Sequence, residues 1–137
     1  MECKVIKRGN EIYKINLVDG WNEEKALETA TVLLKHVIES KDKIISYSDL
    51  SKKVNFEVNP RNIERYLGAL SYSCIESGMP PLSAVVVNKE SMMPGDGFIK
   101  AYYPHIKNKD DILMKQVEVM NEVMAYKHWD VLLEAIS

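Results

Sequence analysis

Cysteine is scarce in this chain of 137 residues: Cys3 and Cys74 stand far apart, with no cluster around either. That spacing excludes a disulfide framework and points to reduced thiols. Cys74 falls on an apolar helical stripe and reads as a small core residue. No apolar run reaches the length of a membrane span, and no signal-peptide apolar region is present. The expectation is a cytoplasmic protein with no membrane partner. A basic excess is also missing: 18 Lys and Arg face 20 Asp and Glu, for a formal net charge of −2. That balance argues against a strong general nucleic-acid binder, whose footprint is basic.

Motifs for chemistry are equally sparse. His36, His105 and His128 are isolated, without metal-ligand spacing. The turns Gly-Met-Pro-Pro and Pro-Gly-Asp-Gly lack the lysine and hydroxyl of a phosphate loop. The pairs Glu23-Glu24 and Asp110-Asp111 fall in first helical turns, where the helix dipole favours carboxylates. The expectation is therefore no catalytic residue, no metal and no cofactor: a protein that is not an enzyme.

What is present is a sequence of element signals. Apolar residues make up 46% and charged residues 28% of the chain, which fits one globular domain over residues 1–137. Residues 1–19 read as a hairpin turning at Arg8-Gly9-Asn10. Asn22 can cap a scaffold helix over residues 22–40, with Trp21 just outside it and Leu27, Ala30, Leu34, Val37 and Ile38 as its stripe. Ser48 can cap a short helix carrying Leu50 and Val54. Asn59-Pro60 starts a longer one, with Ile63, Leu67, Leu70 and Cys74 inside and Gly78 at its end. The β-branched run at residues 82–87 and the alternation at residues 98–103, joined by Pro94-Gly95-Asp96-Gly97, predict a strand, a turn and a returning strand. Beyond Pro104, Asn108 caps a helix with Ile112, Val117, Met120, Val123 and Met124 on its apolar side, and a short helix over residues 129–136 follows. The expected fold is α+β: a winged-helix-like core over residues 44–103, an N-terminal β-hairpin, and additional C-terminal helices over residues 104–137.

Three blocks within this core resemble a known family. Ile45, Ser46, Tyr47 and Leu50 match [IV]-[ST]-Y-x-x-L; Asn59, Pro60, Arg65, Gly68 and Ala69 fall at near-family spacing on N-P-x-x-A-R-x-V-G-x-A; Pro81, Val85 and Val86 match P-C-H-R-V-V. In this order they resemble the winged-helix DNA-binding domain of the O6-alkylguanine-DNA alkyltransferases and alkyltransferase-like proteins, over about residues 35–103. Leu82, Ser83 and Ala84 replace the family's Cys-His-Arg, so the acceptor thiolate and its activating histidine are gone and alkyl transfer is excluded. The resemblance implies a non-catalytic DNA-binding module. Tyr47 would perturb a phosphate and help rotate a nucleotide out, and Arg65 would fill the vacated place in the stack.

On this DNA-binding reading Asn59 and Arg61 join Tyr47 and Arg65 as nucleic-acid contacts, and Lys52 and Lys53 add to them where local geometry brings them to the face of Arg61 and Arg65. Arg65 sits two residues from Ile63 and from Leu67, about 200° from the stripe, and so is expected on the outer face of its helix. Residues 44–103 carry six basic and six acidic groups, so DNA binding would be modest and salt-sensitive. The alternative is a protein-interaction module. Residues 77–98 resemble small domains of bacterial and phage chromosomes, some near restriction functions. That likeness implies a phage or mobile-element inhibitor of a host nuclease or defence protein, of anti-restriction or anti-CRISPR type.

Overall fold

The structure is a computed structural model that describes residues 2–54, 60–95 and 97–137, with the side chains of residues 60–62 and 98 also outside the description. It is a mixed α+β arrangement that begins with an antiparallel β-hairpin, as expected. Strands β1 (Glu2–Arg8) and β2 (Glu11–Leu17) pair from Glu2↔Leu17 to Arg8↔Glu11. Gly9, at φ 59°, takes the first central position of the turn, where the matching twist needs positive φ. Alternate residues of β2, Ile15 and Leu17, point into the core.

Helix α1 (Glu24–Glu39) buries Ala30, Leu33, Leu34 and Val37, while Ile38 is exposed. Its N-cap is Glu23, which makes no side-chain capping bond, so Asn22 does not cap it. The first turn instead begins from Gly20, whose carbonyl accepts from Glu23 N at 3.4 Å. At the other end Lys43 Nζ donates to Val37 O at 2.6 Å, satisfying a terminal carbonyl.

Strand β3 (Ile45–Ser46) is followed at once by α2 (Tyr47–Lys53). The cap of α2 is Ser46 rather than Ser48: its Oγ accepts from Asp49 N at 3.1 Å, and Ser48 only touches that oxygen, at 3.2 Å. Helix α3 (Pro60–Glu76) presents Ile63, Leu67, Leu70 and Cys74 to the core, the stripe expected of it. It ends in a Schellman turn: Gly78, at φ 74°, donates to Ile75 O, and Met79 N donates to Cys74 O at 2.8 Å. Residues 55–59, which link the two helices and include the expected cap Asn59, lie outside the described residues.

The expected strand pair after α3 is not formed. Leu82–Val85 is a 3-10 turn, and only β4 (Val86–Val87) is extended. Pro81, at φ −72°, leads into that turn, and Ser71 Oγ on α3 accepts from Ser83 N at 3.0 Å, so this stretch bonds to a helix rather than to a strand. β4 pairs with β3 in parallel, Ile45↔Val86 and Ser46↔Val87. The predicted returning strand is a helix, α4 (Gly97–Tyr102). A stretch of six residues fits either period. Burial of Ile99, with Tyr103 N donating to Ile99 O at 2.8 Å, selects the helical one.

Helix α5 (Lys109–Ala125) is capped by Asn108, whose side chain accepts from Asp110 N at 2.8 Å. Its buried stripe is Gln116, Val119, Met120 and Val123, and Val117 faces out. The pattern is rotated from the expected one because the polar Gln116 is drawn in, donating to Pro94 O at 2.9 Å. Helix α6 (Trp129–Ile136) buries Val131 and Leu132, and Trp129 Nε1 donates to Val123 O at 3.1 Å. No helix among the described residues is long and apolar enough to cross a membrane.

The assignment of the α2 cap is directly measurable. Ser46→Ala lowers stability by about 1 kcal/mol in urea denaturation, whereas Ser48→Ala stays within about 0.5 kcal/mol of the parent. The reverse order would show that Ser48 is the cap.

Candidate functional site

Two concavities flank the segment that leaves β4. This segment is tied down at both ends. Asn88 N donates to Met93 O at 3.0 Å and Met92 N to Asn88 O at 2.8 Å, closing a tight loop in which Met92 takes φ 55°. Beyond it, Pro94 is held by Gln116. The loop thus forms a wall with Lys89 and Met92 on one side and Pro94 and Gly95 on the other.

The first concavity is a cleft of about 420 Å³ between α3, the 3-10 turn, α4 and α5. Glu64, Leu67, Gly68 and Tyr72 of α3 form one side, Ile99, Ala101 and Tyr102 of α4 the other. Ser83, Ala84 and Val119 also line it. Its surface is mainly apolar and aromatic. The rings of Tyr72 and Tyr102 lie 4.3 Å apart at an interplanar angle of 43°. Tyr47, the first residue of α2, enters from the third side and is half-buried. Its hydroxyl accepts from Gly95 N at 3.4 Å, and burial raises its pKa, with Glu64 pushing the same way. A Cβ at Gly95 would stand 3.6 Å from that hydroxyl, an ordinary contact, so the loop rests on the Tyr47 ring without strain. Burial, followed by Tyr72, also raises the pKa of Tyr102.

The second concavity, about 510 Å³, lies beside the C-terminal half of α2 and is lined by Lys52, Lys53 and Lys89 with Asp42 and Asp49. Lys89 pairs with Asp49 at 3.7 Å. Lys52 and Lys53 are exposed and form no ion pair with a described residue.

Tyr47, Lys52 and Lys53 are therefore brought together on α2, with the lysines one to two turns beyond the tyrosine. Asn59 lies outside the described residues, as does the side chain of Arg61. Arg65 is on the outer face of α3 as its position requires, but it is already engaged. One Nη contacts Glu23 Oε2 and Tyr66 Oη, each at 3.2 Å, and the guanidinium stands 5.0 Å from the Tyr66 ring centroid. The Tyr66 hydrogen bond and then Glu23 raise its pKa further. Its side chain is still 62% exposed while it holds both partners, and both contacts use a single Nη.

Sequence reading missed the cleft-lining Glu64, Gly68, Tyr72 and Tyr102. The signal available was weak. Gly68 and Tyr72 stand one turn apart on α3, beside the apolar stripe rather than in it.

Neither cysteine offers a nucleophile to either concavity. Cys74 is fully buried, and burial pushes its thiol up to about 12, the backbone hydrogen bond from Leu82 only partly opposing this. Cys3 is exposed on β1. No protein-family model, no curated protein and no solved structure matches the chain.

The buried thiol has a measurable linkage. Its folded pKa, about 12, lies above the ordinary 9.0. Its contribution to stability is therefore complete below pH 9 and is lost as pH rises toward 12, where the unfolded thiol ionises first. The slope reaches about 1.4 kcal/mol per pH unit. Thermal midpoints between pH 9 and 10 fall more steeply for the parent than for Cys74→Ala. In the native protein a thiol reagent labels Cys3 at once and Cys74 only after unfolding; rapid labelling of both would contradict the buried placement.

Proposed function

We propose that the protein is a non-catalytic, cytoplasmic DNA-binding module that receives an unstacked base in the cleft beside α3 while Lys52 and Lys53 engage the neighbouring phosphates. The observation that carries this reading is the cleft itself. It is concave, lined by apolar groups and tyrosine rings, and has a few polar groups at its mouth, the chemistry that holds a planar heteroaromatic ring. The lysines add the second requirement. They are cations on α2 with no ion pair to a described residue, and the first residue of that helix, Tyr47, forms part of the cleft. A strand laid across the loop that bears Lys89 and Pro94 meets the lysines on one side and the cleft on the other. Tyr47 stands between them, where it can press against the backbone of a rotated nucleotide. Arg65 joins the interface from the outer face of α3, by sharing or exchanging its contact with Glu23 for a phosphate or for the vacated place in the base stack.

Net charge limits the strength of this binding. With few unpaired cations, affinity is modest and falls steeply with salt, because each neutralised phosphate releases counterions. A second reading, an interaction module that inhibits a host nuclease or defence protein, is favoured by a different observation. On α5, Leu113, Met114 and Val117 are 48%, 70% and 44% exposed and form an apolar stripe away from both concavities. Three side chains make a small patch, and isolated surface apolar groups are common, so the cleft and its lysines weigh more.

Fluorescence anisotropy with a short duplex, a single strand and a duplex containing a mismatched base separates the two readings. The DNA reading expects tightest binding to the mismatched duplex, where rotating a base out costs least. The log–log salt slope is then about −2 to −3. Lys52→Ala and Lys53→Ala each make that slope shallower by about 1, and Lys14→Ala on the hairpin leaves it unchanged. Arg65→Ala weakens binding by about 1–3 kcal/mol where the guanidinium takes a base-directed place. Binding that is weak, independent of salt and the same in all these variants would retire the DNA reading and leave the interaction module.

A further inference from the structure

The cleft has a one-sided charge. Among its described lining residues Glu64 is the charged one, and the other polar side chains are the hydroxyls of Tyr47, Tyr72, Tyr102 and Ser83. Some carboxylates elsewhere on the described surface have cationic partners: Glu23 with Arg65, Asp49 with Lys89, Glu118 with Lys115. Glu64 is exposed and forms no ion pair with a described residue. Its position on α3, three residues before Leu67 and four before Gly68, puts it on the same helical face as these two lining residues. Its charge also reaches Tyr47 across the mouth, where it adds to the effect of burial on the phenol.

Two independent features of this cleft favour the same kind of ring. A lone carboxylate repels phosphate and attracts a cation. Tyrosine faces are negative at the centre of the ring and attract a cation placed over them. A neutral base gains from stacking alone, whereas a positively charged one gains from all three. We propose that the cleft selects a cationic heteroaromatic ring, such as a purine alkylated on a ring nitrogen, over the neutral base. The proposal rests on the reading of the cleft as a base site and adds to it the charge of the ring and the residue that reads it, Glu64. Tyrosine faces and carboxylate together amount to a preference on the order of tenfold or more.

The test uses the whole chain and free nucleosides, so that phosphate attraction plays no part. Amide chemical shifts of Leu67, Gly68 and Ala84 are followed at low salt while 7-methylguanosine, guanosine and thymidine are titrated. The expected result is that 7-methylguanosine binds about tenfold or more tightly than guanosine. Glu64→Gln brings the two within about twofold, and Glu39→Gln, an exposed carboxylate at the far end of α1, leaves the preference intact. Equal affinity for guanosine and 7-methylguanosine overturns the proposal, as does a preference that survives Glu64→Gln; in either case the base-site reading stands. Failure of every nucleoside to move these amides overturns the base site itself and the charge preference with it.

Discussion

Two serines of α3, Ser71 and Ser73, with Ser77 just beyond its end, tie the hairpin and the 3-10 turn to one helix. A serine inside an apolar helical face normally invites competition with the backbone, yet Ser71 and Ser73 are fully buried here. Each one answers a backbone N–H that the fold would otherwise leave stranded. Ser77 Oγ accepts from Asn16 N at 2.8 Å and Ser73 Oγ from Val18 N at 3.0 Å, closing the outer edge of β2. Ser71 Oγ accepts from Ser83 N and donates to Ser83 Oγ at 2.6 Å, fixing the 3-10 turn. An unsatisfied buried N–H costs on the order of 1–3 kcal/mol, so the hairpin and the turn are both registered to α3, by Ser73 and Ser77 on one side of its apolar stripe and by Ser71 on the other. The apolar stripe of Ile63, Leu67, Leu70 and Cys74 supplies the burial that makes this registration rigid. The cleft inherits its shape from it. The Ser71–Ser83 contact sets the distance between α3 and the turn, and Gly68, one helical turn before Tyr72, leaves space between them.

Where the sequence repeats a period over many residues, the helix it predicts is present, even where, as in α5, the buried stripe is rotated. Seventeen residues of α3 carry four apolar positions at helical spacing, and its Schellman glycine marks the end. The hairpin is marked by a two-residue turn containing Gly9 and by strands long enough to alternate. The α5 cap is legible because Asn108 precedes two acidic residues and a helical pattern. Short segments are different. The six residues of α4 satisfy strand alternation and helical spacing equally, and only the burial of Ile99 against the rest of the core separates the two. Leu82 to Val87 is β-branched enough to suggest a strand, but its first four residues form a 3-10 turn, which Ser83 bonds to Ser71 of α3. Which of Ser46 and Ser48 caps α2 depends on the parallel pairing of Ser46 with Val87, a contact between residues 41 positions apart. The cleft was invisible for the same reason, since its walls come from α2, α3, the turn, α4 and α5.

Charge is arranged locally in a way that the overall balance of −2 conceals. Arg8 is held by Glu134 at 2.6 Å, Arg65 by Glu23 and Lys115 by Glu118. Lys43 is spent on the C-terminus of α1. Lys52 and Lys53 have no such partner among the described residues, and they follow one another in the last turn of α2. Cations there complement the helix dipole, so the helix keeps them without an ion pair to a described residue. A count of residues cannot distinguish a paired arginine from an unpaired lysine, and the distinction decides how much positive potential a surface presents to an anion.

The same distribution gives the proposed interface a direction. Glu64 at the mouth of the cleft repels a phosphate, and Lys52 and Lys53 beside the other concavity attract one. The two sites share the loop that bears Lys89 and Pro94 as a wall, and that wall is anchored, on one side by its own Asn88–Met93 hydrogen bond and on the other by Gln116 of α5. On the proposed reading a strand can therefore lie in only one sense. Its backbone passes on the lysine side, and the base crosses the wall into the cleft with its phosphates held away from Glu64. On that reading Tyr47 takes the crossing point: it begins α2, follows the capping Ser46, and accepts from Gly95 N. The capping serine, the tyrosine and the two lysines are one stretch of eight residues, so the orientation of α2 sets the position of all three elements of the interface at once.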